Sequence, residues 1–256
     1  MEELLLALPA GQSLPSGRRD LVPANMAYRV GAGPRLLGVR LPTGLQGGLM
    51  MLDCRDFDGQ GDPTPCCRQI LGECRRRGFR GVVCDFEGPP VGCLPKLVAL
   101  LDRGCSGQGW ALYVPEAYAP HAPSARVLLP SCLTSGTLER RLRAALAHRP
   151  AQQLALAVEW VREDFLLPAS GRGDPLTQAA LDEQLRRLEP AVFFDRGLCA
   201  HYYTYLAPGG QAHFVLFDTP RSLREKLAVA RRLDLAAVLL PGPEVAGCLE
   251  DILSPA

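Results

Sequence analysis

The stretch that decides the fold is residues 78–88, GFRGVVCDFEG. A basic helical pattern ends at Gly78, a short apolar run follows, and two carboxylates, Asp85 and Glu87, stand where the run closes. In a β-strand, positions i and i+2 project from the same face, so we expect these two side chains to lie side by side. In a parallel α/β barrel they would stand at the C-terminal mouth, where such barrels carry their chemistry. Repulsion between adjacent carboxylates favours a proton on one of them, which is what a general acid needs. The alternative is a strand that ends in two solvated acids.

Outward from this stretch, apolar runs alternate with helical patterns from residue 49 onward, as in a parallel sheet wrapped by helices. The predicted strands are Leu49–Cys54, Gly81–Asp85, Trp110–Val114, Arg126–Leu129, Leu154–Glu159 and Ala236–Leu240. The predicted helices are Cys66–Arg77, Leu94–Arg103, Thr137–His148, Pro175–Leu188 and Ser222–Leu233, with Thr137 and Ser222 as N-caps.

Two parts of the chain depart from this alternation. Residues 1–48 contain thirteen Gly or Pro and predict a loosely structured N-terminal arm with irregular first barrel elements. Its one regular piece is a hairpin of Ala27–Val30 against Leu36–Leu41. Residues 190–218 contain strand-like runs and a Pro-Gly-Gly turn at 208–210, which predict a small β-hairpin insertion before the last strand.

Composition excludes several classes of function. The chain is 47% hydrophobic and 21% charged, with a net charge of +1, so no long-range field would attract nucleic acid or an anionic membrane. No apolar run approaches the ~20 residues of a spanning helix, and the acidic start of the chain does not resemble a signal peptide, so we expect a cytoplasmic protein. The ten cysteines contain no C-x-x-C pair. They predict reduced, buried thiols, and neither a metal nor a cofactor is expected.

Residues 80–87 resemble the central signature of family 18 glycoside hydrolases, the chitinases and N-acetylglucosaminidases, in which a hydrophobic strand ends in D-G-x-D-x-D-x-E. Gly81 matches the glycine, Asp85 the last aspartate and Glu87 the catalytic glutamate, while Arg80 and Val83 replace the two earlier aspartates. The run 213–226, HFVLFDTPRSLREK, is similar to the closing run of that family. The resemblance covers roughly residues 48–245. It implies a TIM-type (β/α)8 barrel over residues 49–256, with an abbreviated N-terminal start.

The resemblance also implies a mechanism and a carbohydrate ligand, with no nucleic acid, membrane or cofactor involved. In that family the N-acetyl carbonyl of the substrate attacks the anomeric carbon, an exception to the two-carboxylate scheme. Glu87 would protonate the leaving oxygen, and Asp85 would orient the acetamide and raise the pKa of Glu87. Two features of the family are replaced: its Tyr-Asp pair by residues 129–132, LPSC, and its last-strand Trp by residues 240–243, LPGP.

Further residues at predicted strand ends are candidates for substrate binding. Asp53 follows one strand, Glu116 and Tyr118 another, and Glu159 and Trp160 a third. Acids hydrogen-bond sugar hydroxyls and aromatic rings stack on sugar faces, although each residue could equally pack at a rim. Three functions remain open: a hydrolase of N-acetylglucosamine-containing β-glycans such as chitin-type chains or peptidoglycan, a catalytically degenerate carbohydrate-binding barrel, and a non-enzymatic interaction scaffold. The oligomeric state does not follow from the sequence.

Overall fold

The six predicted strands belong to a closed parallel barrel of eight in the computed structural model, which describes residues 3–41, 44–133, 136–169, 171 and 173–254. In chain order the strands are β1 (Glu3–Pro9), β2 (Leu21–Gly31), β3 (Arg35–Gly38), β4 (Leu49–Asp53), β5 (Gly81–Asp85), β6 (Ala111–Pro115), β7 (Arg126–Pro130), β8 (Leu154–Ala157), β9 (Arg162–Leu166), β10 (Asp174–Pro175), β11 (Phe193–Asp195), β12 (Ala200–Leu206), β13 (Ala212–Phe217) and β14 (Ala237–Leu240). The helices are α1 (Thr64–Arg77), α2 (Leu94–Ser106), α3 (Leu138–Leu146), α4 (Gln178–Leu188), α5 (Pro220–Arg232), α6 (Gly242–Val245) and α7 (Leu249–Leu253). Barrel order is β1-β2-β4-β5-β6-β7-β8-β14, and β14 pairs with β1 to close the ring. The predicted (β/α)8 barrel is confirmed.

The first two barrel strands come from the N-terminal stretch. β1 pairs in parallel with both β14 and β2, so the expectation of a loosely structured arm is corrected: this stretch supplies regular barrel strands. Leu4 to Leu8 are all buried, and a strand buried on both faces shows no alternation in sequence. The abbreviation lies in the connections, because residues 10–20 join β1 to β2 without a helix and β3 stands between β2 and β4. The predicted hairpin is confirmed, with Tyr28 opposite Gly38. Residues 1, 2, 42 and 43 of the predicted arm lie outside the described residues.

The core has an inner and an outer layer. Apolar side chains such as Leu5, Met51 and Tyr113 fill the barrel, while α1 and α2 cover its outside through buried leucines and cysteines. Gly81 allows β5 and β6 to approach closely, since a Cβ there would lie 2.2 Å from the carbonyl oxygen of Ala111. All ten cysteines are free thiols. The inner layer supports the ends of the strands, where the candidate site lies.

The insertion is larger than the sequence predicted. A five-stranded antiparallel sheet, in the order β10-β9-β13-β12-β11, begins at Arg162 and ends at Phe217. The predicted hairpin is confirmed as β12 and β13. Helix α4 was assigned to the barrel, but Leu181 of this helix packs on Tyr203, Val215 and Phe217 of the insertion sheet. Its amphipathic pattern fits either surface, so the sequence did not distinguish them.

Helix starts follow the cap chemistry. The side chain of Thr137 accepts a hydrogen bond from the Arg140 N–H at 3.2 Å, as predicted. For α5 the N-cap is Thr219, and Ser222 completes a capping box three residues later, which corrects the expected cap at Ser222. In the part of the chain that the structure describes, no helix is long and apolar enough to span a membrane.

Candidate active site

Alternation along β5 places the two signature carboxylates at the mouth of the barrel. Asp85 ends β5 in register with Asp53 of β4, and Glu87 follows two residues later. Phe86 between them points to the outer core, where it is 2% exposed and its ring lies 5.5 Å from that of Tyr118. Asp85 is half-buried and Glu87 is exposed. The period of two expected for this segment is therefore present.

A cavity of about 830 Å³ opens at this end of the barrel, and we call it the mouth cavity. Met26, Met51, Leu128 and Leu239 give it apolar walls. Its acidic lining residues are Asp85, Glu87, Glu116, Glu159 and Glu244. A cavity of this size, with apolar walls and a few convergent polar groups, is typical of a small-molecule or oligosaccharide site.

Asp85 is the carboxyl whose ionisation this environment opposes. Burial raises its pKa from the ordinary value of an aspartate, and the nearby charges of Glu87 and Asp53 raise it further. Arg55 acts in the opposite direction. The proton of Asp85 is therefore harder to remove than that of an ordinary aspartate.

Asp53 lies next to the mouth cavity, and its carboxylate is paired with two arginine side chains. Its carboxylate forms ion pairs with Arg29 and Arg55, both at 3.0 Å. Together with Asp85 it lines a smaller adjoining cavity of about 50 Å³. The charge of Asp53 raises the pKa of Asp85. The contact of Asp53 with substrate stays a prediction.

The residues after β6 separate into one at the mouth and one in the core. Glu116 lines the mouth cavity and pairs with Arg141 of α3. Tyr118 has no exposed surface and packs among the side chains of the outer core. The expectation that Tyr118 lines a groove is thus corrected, because residues 116–121 form a 3₁₀ turn that directs its ring inward.

The residues after β8 divide in a similar way. Glu159 lines the mouth cavity and accepts a hydrogen bond from the Cys132 N–H at 2.9 Å. Trp160 lines a neighbouring cavity of about 230 Å³, which Glu159 also borders, and packs partly against the outer core. The structure therefore brings Asp85, Glu87, Glu116 and Glu159 together, with Asp53 and Trp160 adjacent. No cluster that could hold a metal occurs among the described residues.

One acidic residue of the mouth was missed by the sequence analysis. Glu244 lies in α6, directly after the last barrel strand, and is exposed. Gly242 holds this turn against β1, because a Cβ there would lie 1.9 Å from the carbonyl oxygen of Ala7. The sequence signal of Glu244 is the same as that of Glu87, an acidic residue that follows a barrel strand.

The closing run forms a buried ion pair between the outer helix α5 and the end of β13. Lys226 of α5 pairs with Asp218 at 2.6 Å, and both side chains are almost fully buried. The same carboxylate accepts a hydrogen bond from the Val161 N–H at 2.9 Å. Burial raises the pKa of Asp218, and the Lys226 ammonium opposes that rise. These contacts tie α5 to the segment that leaves β8.

Comparisons with known proteins show the fold. No known family model matches the chain, and no curated protein matches it. A chitinase from Chromobacterium violaceum superposes with a TM-score of 0.67 at 14% identity, over 100% of both chains. The spore cortex-lytic enzyme SleL of Bacillus megaterium gives 0.65 at 14% identity, over 99% of this chain and 74% of that one. A GH18 chitinase from Cycas revoluta, solved in complex with (GlcNAc)3, gives 0.56 at 13% identity, over 90% of each chain.

The fold and the mouth cavity define a class of protein, the (β/α)8 barrels with a site at the C-terminal ends of their strands. Within that class the solved structures similar to this chain include family 18 chitinases and spore cortex-lytic enzymes. The resemblance inferred from residues 80–87 and 213–226 is thereby confirmed at the level of the fold.

Proposed function

We propose that this protein is a glycoside hydrolase acting on N-acetylglucosamine-containing β-glycans of the chitin or peptidoglycan type. The observation that carries the proposal is the placement of Asp85 and Glu87 side by side in the mouth cavity, with the pKa of Asp85 raised. The fold shared with chitinases and a spore cortex-lytic enzyme supports it. The net charge of +1 favours a carbohydrate over nucleic acid as the ligand.

The proposed reaction is substrate-assisted and retains configuration at the anomeric carbon. The acetamide oxygen attacks that carbon while the bond to the leaving oxygen breaks and Glu87 gives that oxygen its proton. Asp85 holds the acetamide in the attacking orientation. Water then attacks the same carbon from the vacated face, Glu87 takes its proton, and the acetamide is restored. Glu87 is suited to exchange protons because it is exposed at the mouth, and Asp85 is suited to hold the acetamide because it is half-buried beneath it.

A catalytically degenerate carbohydrate-binding barrel is the second candidate. Arg80 and Val83 replace two acids of the signature, and Phe86, the one aromatic residue among the described residues that line the mouth cavity, is buried. A sugar would therefore find no exposed ring on which to stack. The scaffold hypothesis has less support, because the N-terminal residues Ala7 and Met26 form part of the wall of an open cavity.

The test is hydrolysis of a fluorogenic N-acetylglucosaminide and of peptidoglycan fragments by the wild type and by Glu87→Gln. Loss of proton transfer is expected to lower turnover at least ~100-fold while oligosaccharide binding is retained. Glu183→Gln is the matched control, since Glu183 is an exposed glutamate on α4 of the insertion, away from the mouth.

Each outcome selects one hypothesis. Turnover by the wild type that survives in Glu87→Gln contradicts the assignment of the acid. Binding of N-acetylglucosamine oligomers without cleavage supports the degenerate barrel. Neither binding nor cleavage at about millimolar sugar, a Kd that corresponds to only about −4 kcal/mol, supports the scaffold.

A further inference from the structure

A second cavity, of about 380 Å³, lies at the opposite end of the barrel from the mouth, and we call it the base cavity. The first residues of β1, β4, β6 and β7 border it, so it faces the N-terminal ends of the strands. Its polar and aromatic lining consists of Arg80, Trp110, Ser124 and Arg126, with Glu3 as the one carboxylate among its described lining residues. A cavity of this size admits a small organic molecule, and the proposed glycosidase chemistry uses none of these side chains.

Arg126 is a cation held in place at the edge of the base cavity. One of its terminal nitrogens donates to the Glu3 carboxylate at 3.1 Å and to the Tyr113 hydroxyl. Its guanidinium also lies 5.3 Å from the centre of the buried Tyr113 ring. The hydrogen bonds of this guanidinium to the described residues all use that one nitrogen, and the side chain is 33% exposed. The other two guanidinium nitrogens are therefore available to a ligand.

Arg80 is a cation without an ionic partner. It directly precedes β5, is exposed, and forms no side-chain hydrogen bond or ion pair with the residues that the structure describes. In the signature that residues 80–87 resemble, this position holds an aspartate, so the charge here has the opposite sign. The planar guanidinium fork of an arginine matches the oxygens of a phosphate or carboxylate group.

Trp110 supplies an aromatic surface next to these cations. Its indole is half-buried and lines the base cavity, and the Arg75 guanidinium lies 5.9 Å from its ring centre. The side-chain oxygen of Gln108 accepts a hydrogen bond from the Arg75 Nε–H at 3.4 Å, which positions this third positive charge beside the cavity. An indole ring offers apolar area to a ring-shaped ligand, so the cavity combines an anion site with a surface for a ring.

Ser124 adds a neutral donor to the base cavity. Its backbone N–H donates to the Asp102 carboxylate at 3.3 Å, whereas its hydroxyl has no hydrogen bond to the described residues. Asp102 is 5% exposed and is not a lining residue, so its charge does not face the cavity directly. The lining therefore offers two guanidinium groups and a hydroxyl against one carboxylate, which is already paired with Arg126.

We propose that the base cavity is a second binding site, separate from the glycosidase site, for a small ring-shaped phosphate monoester such as a sugar phosphate. The phosphate oxygens accept hydrogen bonds from Arg80, Arg126 and the Ser124 hydroxyl, and the ring lies against Trp110. A phosphate monoester carries a charge of about −1.5 to −2 at pH 7, so it matches two guanidinium groups better than a single carboxylate does. This inference does not depend on the proposed function, because the two cavities lie at opposite ends of the strands.

The experiment measures binding of glucose 6-phosphate, inorganic phosphate and glucose by isothermal titration calorimetry at about pH 7.5, where the monoester is mostly a dianion. We expect glucose 6-phosphate to bind with a Kd below about 1 mM and inorganic phosphate about tenfold more weakly, because it lacks the ring. Glucose, which lacks the phosphate, should show no binding at about 10 mM. A Kd above about 10 mM for glucose 6-phosphate overturns the proposal, and equally tight binding of inorganic phosphate overturns the role of Trp110.

Tryptophan fluorescence shows where the ligand binds. The chain contains two tryptophans, Trp110 and Trp160, so the emission of the Trp160→Phe protein reports Trp110 alone. Glucose 6-phosphate should change that emission with the Kd found by calorimetry. Saturable binding that leaves the emission of Trp110 unchanged would place the ligand elsewhere and overturn the proposal.

Variants of Arg80 test the anion contact, and they break no hydrogen bond or ion pair of this side chain to the described residues. Arg80→Met should weaken glucose 6-phosphate binding about tenfold, the effect of losing one charge-assisted contact. Arg80→Lys should weaken it less, because it keeps the charge and loses the guanidinium fork. Arg196→Met is the matched control, since Arg196 is an exposed arginine between β11 and β12 of the insertion, and its Kd should equal that of the wild type. An unchanged Kd in Arg80→Met, or an equal loss in Arg196→Met, overturns the proposal.

Discussion

Two aspartates at strand ends lie in different surroundings. Asp85 ends β5 at the barrel mouth, and Asp218 directly follows β13 of the insertion. Asp218 is buried with Lys226 at 2.6 Å and a backbone N–H at 2.9 Å. Asp85 is half-buried against two further carboxylates, and its pKa is raised. Burial raises the pKa of both carboxyls, but the cation and the N–H at Asp218 oppose that rise, whereas the carboxylates of Glu87 and Asp53 add to it at Asp85. Groups held in the manner of Asp85 are typical of functional sites.

Removing the partner of the buried carboxylate is expected to give the largest loss of stability. Lys226→Met leaves Asp218 buried without its cation, so the free energy of unfolding should fall by about 3–5 kcal/mol in urea titrations. Lys96→Met is the matched control, because Lys96 is exposed and its pairing with Asp62 at 3.5 Å is a surface contact. Unchanged stability in Lys226→Met would show that the pair does not support the fold as the structure indicates.

Glu116 and Tyr118, which lie two residues apart after β6, provide the next comparison. Tyr118→Ala opens a cavity in the outer core and should lower the free energy of unfolding by about 3 kcal/mol, without weakening (GlcNAc)4 binding by the folded protein. Glu116→Gln breaks only an exposed pair and should cost less than about 1 kcal/mol. Lost sugar binding at unchanged stability in Tyr118→Ala would restore the groove role predicted from the sequence.

Removing the charge of Asp85 by Asp85→Asn is expected to have the smallest effect on stability, and to raise stability where the two preceding substitutions lower it. The raised pKa of Asp85 means that the folded protein holds this proton more tightly than the unfolded chain does. Stability is therefore lost as the pH rises from the unfolded pKa, near 3.8, through the folded value. Asp85→Asn lacks this loss, so it should be more stable than the wild type at neutral pH by up to about 1 kcal/mol.

This gain should disappear near pH 3.5, where both proteins carry a neutral group at position 85, and turnover should be impaired at every pH. Urea titrations across the pH range measure it. A variant that is less stable than the wild type at neutral pH would mean that ionised Asp85 is stabilised by its surroundings.

Local patterns predicted much of the fold. The strand at Gly81–Asp85 was predicted with the bounds that the structure shows, and the hairpin around the turn at 208–210 was predicted between the strands that became β12 and β13. β1 was missed because a strand buried on both faces has no period, and α4 was assigned to the wrong layer because its apolar stripe fits either sheet. Both errors concern partners that are distant in the chain.

For the site, the sequence by itself determined that Asp85 and Glu87 share one face at the end of a strand, since that follows from the period of two in an extended backbone. Only the tertiary structure decided that Asp53 is held by Arg29, that Tyr118 is buried, and that Glu244 faces Glu87 across the mouth. The physical reason is that burial and ionic partners depend on the closure of the ring, which brings β14 beside β1 from opposite ends of the chain.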